Sequence, residues 1–206
     1  LPQPQSEPTG VAQRRPGRPR DAALESQVLQ TVVDLIDAGI TVTVKEVVAR
    51  SGVSRAAIYR RWSTLDVLIS DALDVSREVV YPPDEMTARE AILSAYPGPD
   101  RPVLESYPES RVRQRLLLAL ADPDLQHEYW NRHVSQRRVP LLAFLQRAQD
   151  RGEVRAGVDL DATLDLLSGV FYYQLVARGA ELTDPETMLR CRAAVDIIWN
   201  GIAPLK

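Results

Sequence analysis

The stretch from Thr43 to Trp62, TVKEVVARSGVSRAAIYRRW, leaves the chain the least freedom. Thr43 stands three residues before Glu46, the spacing of a capping box, and opens a short helix that runs to Ser51. Gly52 supplies a tight turn, and Ser54 can cap a second short helix over Arg55 to Trp62. Ile58 on that second helix points back at Val47, Val48 and Ala49 on the first. Two short helices, a glycine turn and a cap on the second are the parts of a helix-turn-helix.

The flanks carry more helical signals. Val28, Leu29, Val32, Leu35 and Ile36 share one face, and Gly39 stands where a helix would stop, which predicts a helix over Ala22 to Ala38. Downstream, Ser63 or Thr64 can cap a helix with Leu65, Leu68, Ile69, Ala72 and Leu73 as its apolar stripe, ended by Pro82 and Pro83. A short helix over Thr87 to Ala95 follows, then a proline-rich loop over 96–108 and a helix over Arg111 to Ala121. The signal Asp122-Pro123 starts a helix that should reach Arg151, kinked near Gln136 by Pro140. Asp159 and Gly179 bracket the next helix, and Asp184-Pro185 and Gly201 the last. Strand-type alternation is scarce, so the expected class is all-α. The final two helices are apolar on more than one face and must be buried, either by the domain core or by a second copy of the chain.

Charge divides the chain. Residues 14–62 hold nine basic side chains against five acidic ones, and residues 63–206 hold sixteen against twenty-two, within a net charge of −3. A basic front end suits a polyanion, with DNA the obvious candidate. Residues 1–20 contain five prolines and little to bury, so they read as a disordered basic arm. Within it RRPGRPR, Arg14 to Arg20, looks like an AT-hook core that would lay Arg18 and Arg20 in an A·T-rich minor groove; a solubilising tail is the plainer alternative. Basic residues are twenty-three arginines and two lysines.

A short helix in the major groove reads base edges from its N-terminal half. Here that half is Arg55, Ala56 and Ala57: a guanidinium that can donate two bonds to a guanine edge, and methyls that can pack on thymine methyls. Tyr59, Arg60 and Arg61 are placed for the phosphate backbone, as are Thr43 and Lys45 on the preceding helix.

The run Thr43 to Leu73 resembles the DNA-binding domain of TetR-family regulators in its capping Thr, small Ala, Gly-Val-Ser turn, recognition-helix Tyr and following aromatic. The resemblance implies that Tyr59 holds a phosphate and that Trp62, in place of the usual Phe, packs into the core. The family commonly has Lys after the residue that caps the fourth helix; the matching pair here is Thr64-Leu65, which leaves Thr64 with Arg60 and Arg61 for the backbone. Leu164 to Leu182 resembles the family's penultimate helix, whose pairing with the last helix across two subunits implies a homodimer contact at Leu167, Val170, Val195, Ile198, Trp199 and Ile202. The resemblance also implies a small-molecule effector pocket, with Tyr129, Trp130, His133, Phe144, Phe171, Tyr172 and Gln174 as candidate lining. For all of these, packing within the monomer core is the alternative reading.

Nothing points to catalysis. His127 and His133 lie six apart and share no helix face, no cysteine pair joins them, and G-x-S-x-G, P-loop and dinucleotide turns are absent, so no catalytic residue, metal ligand or cofactor is expected. Cys191 is the only cysteine, and no window approaches the roughly 18 apolar residues of a membrane span. A cytoplasmic protein with no membrane partner is expected. The resulting expectation is an arm (1–20), a three-helix DNA-binding head (21–66) and a ligand-sensing, dimerising helical domain (67–206). It would bind a double-stranded operator and repress until an effector arrives. An architectural DNA binder and a helical protein whose head no longer reads DNA are the alternatives.

Overall fold

The computed structural model describes residues 18–75, 77, 79–96 and 108–205, with side chains from residue 22 onward; the described backbone contains helices and no β-strand. The helices are α1 (Arg18–Asp37), α2 (Val44–Ser51), α3 (Arg55–Tyr59), α4 (Leu65–Ala72), α5 (Ala88–Ala95), α6 (Glu109–Ala121), α7 (Pro123–Tyr129), α8 (Ser135–Asp150), α9 (Leu160–Tyr172) and α10 (Pro185–Ile202). The all-α expectation holds. The side chains of Arg18 and Arg20, the rest of the arm and residues 97–107 lie outside the described residues. No helix among the described residues is long and apolar enough to cross a membrane.

The head closes over one core. Val28, Val32, Val33, Leu35 and Ile36 of α1 meet Val47 of α2, Val53 of the turn, Ile58 and Trp62 at α3, and Leu68, Ile69, Ala72 and Leu73 at α4. The apolar stripe of α4 therefore belongs to the head's core as far as Leu73, beyond the boundary at 66 expected from sequence. Local caps set the geometry. Thr43 Oγ1 accepts from the Glu46 amide at 3.2 Å, Ser54 Oγ from Ala57 at 3.3 Å and Thr64 Oγ1 from Val67 at 3.1 Å, each satisfying a backbone donor that a helix start would leave unpaired. Gly52 has φ of 67° and donates to the Val48 carbonyl, a left-handed stop that a side chain would strain.

Several expected boundaries move. α1 starts at Arg18 rather than Ala22. α3 is α-helical only to Tyr59, with Arg60 and Arg61 in the turn before Trp62. Ala49 is exposed and stands outside the core that Ile58 shares with Val47 and Val48. Glu46 turns to Arg50 at 3.5 Å, and the complete reciprocal capping box lies instead at Thr87 and Glu90. α4 stops at Ala72, well before Pro82; Asp71 and Asp74 place negative charge at its C-terminal end, where Arg137 of α8 pairs with Asp74.

The long helix expected from Pro123 to Arg151 is interrupted by a π-helical turn over Trp130–Val134, upstream of Gln136, and α8 then runs through Pro140 to Asp150. The wide turn adds a residue to the helical repeat and resets which faces follow, bringing His133 and Arg137 both against the end of α4. A second π turn, Tyr173–Ala177, finishes α9 before Gly179. The body's main core joins Ala88, Ala91 and Ile92 of α5, Leu141, Phe144, Leu145 and Ala148 of α8, Leu164 and Leu167 of α9, and Val195 and Ile202 of α10.

α6 inverts the pattern that its leucine run suggests. Leu117 and Leu120 are 64% and 79% exposed, whereas Arg111 and Arg115 are each only 9% exposed. Arg111 reaches the C-terminal end of α1 and grips Asp37 with two bonds, Nε to Oδ1 at 2.9 Å and Nη2 to Oδ2 at 2.6 Å, a forked pair that fixes head to body.

Candidate nucleic-acid interface and adjoining cavity

The head presents α3 to solvent. Arg55, Ala56, Tyr59 and Arg60 are exposed, Ala57 is half-buried, and Ile58 beneath them is 2% exposed. Ser54 starts this helix and Ile58 anchors it, so four positions stand outward from a rigid base. Lys45 is exposed on the first turn of α2, and Thr43 and Thr64 are exposed at two helix starts. Each threonine accepts its cap bond with an oxygen lone pair and keeps its O–H to donate to a phosphate oxygen.

One expected contact differs, and one buried side chain gains a second role. Arg61 turns inward, its side chain only 14% exposed, with Nε 4.0 Å from Glu25 on α1. It braces α3 rather than joining the outward face. Trp62 is 4% exposed and its Nε1 donates to Asp71 Oδ2 on α4 at 3.0 Å, so the head's aromatic plug is also a polar tie to the next helix.

Asp71 and Asp74 continue that tie into the body. His133 Nδ1 lies 2.8 Å from Asp74 Oδ2 and its Nε2 lies 3.4 Å from Asp71 Oδ1. Arg137 donates to Asp74, and Arg132 stands 3.6 Å from Asp71. Burial pushes the Asp71 carboxyl up, but bonds from His133 and Trp62 and the Arg132 charge outweigh it and hold the group below its ordinary value. Trp62, α4 and the π turn are thereby joined in one polar cluster.

Behind this cluster is a cavity of about 330 Å³ among α5, α6, the first π turn, α8 and α9. Of the candidate ligand residues, Trp130 and Tyr172 line it. The other five do not. Tyr129 lies on the far side of Arg115, in a smaller crevice toward α4. Phe144 is 1% exposed inside the main core, and Phe171 stacks on Tyr96 with ring centroids 5.9 Å apart. His133 is committed to the two aspartates, and Gln174 borders an outer groove of α9. Sequence reasoning missed Tyr96, Arg115, Arg137 and Arg138 in the cavity wall. A signal existed: arginines at 111 and 115 share one helix face within a leucine-rich run, which is the wrong residue type for a core face unless it meets specific partners.

The candidate dimer residues divide as well. Leu167, Val195 and Ile202 are 0%, 2% and 7% exposed and fill the core of the single chain, because the faces of α9 and α10 that carry them pack against α5 and α8. Val170, Ile198 and Trp199 are half-buried. Apolar side chains that face outward on these helices and the π turn that ends α9 include Leu166, Tyr173, Val176, Leu189 and Ile197.

A model of the tetracycline repressor-like C-terminal domain matches residues 103–194, and a model of the helix-turn-helix domain of resolvase matches residues 17–65. The chain is 29% identical over 175 residues to YdeS of Bacillus subtilis, an uncharacterised HTH-type transcriptional regulator, spanning 84% of this chain and 88% of that protein. It is 29% identical over 155 residues to another such regulator, Rv1556 of Mycobacterium tuberculosis, spanning 75% and 74%. In fold it is similar to the TetR family transcription regulator SCO0332, with TM-score 0.62 at 23% identity over 88% of this chain and 99% of that one. A TetR transcriptional regulator from Agrobacterium tumefaciens gives TM-score 0.54 at 19% identity over 90% and 95%.

Proposed function

We propose that the chain is a helix-turn-helix transcriptional regulator of the TetR family that works as a homodimeric repressor released from its operator by a small-molecule effector. The observation that carries this reading is a continuous path from an outward-facing α3, through Trp62 and α4, to the cluster of His133 and Arg137 at the cavity. Arg55 reads a base edge, while Tyr59, Arg60, Lys45, Thr43 and Thr64 hold phosphates.

Each head occupies one half-site, so two copies are needed for specific binding. The second copy seats on the outward face of α9 and α10. An open apolar groove there is bordered by Leu166, Val170 and Tyr173 and floored by Ala162, Gly169 and Ala194, small residues that admit a close approach. An effector acts only by preferring the arrangement that does not fit DNA, since equal affinity for both arrangements shifts nothing.

Anisotropy titrations on duplexes selected from a random library test the assignment. Arg55→Ala should flatten the ranking of operator variants by about 1–3 kcal/mol at one position, whereas Tyr59→Phe should weaken all duplexes alike. An unchanged ranking with Arg55→Ala removes base reading from that residue. Ile197→Glu should give a monomer in sedimentation and abolish specific binding; a dimer that persists would place the interface elsewhere.

A further inference from the structure

Resting on the regulator reading above, we propose that the cavity takes an aryl carboxylate whose carboxylate group draws Arg137 off Asp74, releasing the end of α4. The wall sets the guanidinium groups of Arg115, Arg137 and Arg138 against one carboxylate, Asp165. Arg115 is 9% exposed, donates to the Tyr172 hydroxyl and lies 5.4 Å from the ring centroids of Tyr129 and Tyr172. Those partners are neutral, and no carboxylate among the described residues lies within ion-pair distance of it. Arg138 pairs through its terminal nitrogens with Asp161 and Asp165, but its Nε is buried with no acceptor. Burial also pulls the Arg137 guanidinium below its ordinary value.

Buried cations with incomplete partners select an anion. An apolar occupant would leave the Arg138 donor unpaired at the usual cost of a buried polar group, a neutral carbonyl would accept from it without answering the charge, and a cation would be repelled. Guanidinium presents a planar fork that matches a carboxylate with two parallel bonds. The rest of the wall includes Tyr96, Trp130, Leu141, Leu164 and Tyr172, which give a largely apolar and aromatic lining for the body of the ligand.

The coupling follows from a shared residue. Arg137 lines the cavity and also holds Asp74, which directly follows the last turn of α4. A ligand carboxylate competes with Asp74 for it. Asp74 is then left with His133, and the tie that runs through Asp71 to Trp62 loosens at its body end. Coupling of this kind is reciprocal, so operator binding must weaken the acid by the same factor.

The full-length chain is titrated by calorimetry with 1-naphthaleneacetate, its amide and inorganic phosphate, and operator affinity is measured by anisotropy with and without the acid. The acid should bind at least about tenfold tighter than the amide, phosphate should not bind measurably, and the acid should weaken the duplex by about fivefold or more. Arg138→Gln should lose about tenfold for the acid but not for the amide. Asp74→Asn should bind the acid more tightly than the parent, because Arg137 is uncontested, while its duplex affinity no longer responds to acid. Equal binding of acid and amide, phosphate binding as well as the acid does, or binding by none of the three overturns the ligand class. Tight acid binding with unchanged duplex affinity overturns the Arg137 switch. Failure of the acid-free protein to bind any duplex overturns the regulator reading and leaves the acid–amide comparison standing.

Discussion

On the head, Arg55, Tyr59 and Arg60 stand in solvent at or just past a five-residue helix; in the body, Arg115, Arg137 and Arg138 are sunk among aromatic rings where four helices meet. The first arrangement spends almost no stability on function, because an exposed side chain on a capped helix touches little. The second makes charged groups structural and functional at once. A change on the head should therefore alter affinity and leave folding intact, while a change to these body arginines should alter both.

That contrast can be broken in order of expected size. Phe144→Ala, at a site 1% exposed, should cost about 3–5 kcal/mol in urea unfolding, with the folded fraction keeping its duplex affinity. A loss below 1 kcal/mol would mean that α8 repacks freely and that the body is the softer half. Asp37→Ala should cost about 1–3 kcal/mol by removing the forked carboxylate partner of the nearly buried Arg111, and much of that should return in the Asp37→Ala, Arg111→Met double variant. A double variant no better than the single would show that Arg111 contributes by packing and not as a charge.

Arg60→Ala should leave unfolding within about 0.5 kcal/mol of the parent while reducing the salt dependence of duplex binding by about one ion. An unaltered salt slope would take Arg60 off the phosphate backbone. The smallest effect concerns acid. Asp71 sits below its ordinary value of 3.8 in the folded chain, so its contribution is present above that value and disappears as pH falls through the folded one. Asp71→Asn should flatten the fall in melting temperature below about pH 4; parallel profiles for the two proteins would detach Asp71 from the acid response.

The same contrast explains what could be read from the residues alone. Thr43, Gly52, Ser54 and Thr64 each act within a few positions of themselves, so their caps and turn were visible in the sequence, and the structure has them at those positions. Arg61 escaped because its partner, Glu25, is on another helix. The cavity escaped for a stronger version of that reason: Tyr96, Arg115, Arg138 and Tyr172 come from segments whose meeting depends on the whole packing, and a π turn shifts the face on which Arg137 emerges. Leu167 and Val195 carry the apolar pattern expected of an interface, but a core face carries it too, and only their burial within one chain separates the two.

Lys45 is exposed on the first turn of α2, and the only other lysine in the sequence is the residue at 206. Among the described residues it is therefore the one side-chain primary amine on a surface otherwise basic through guanidinium. Acylating reagents that ignore arginine would label the fold at this position, and a covering duplex would slow the reaction. Chemical modification of a single atom, Nζ of Lys45, then gives a footprint of the bound face from the protein's side, with no substitution required.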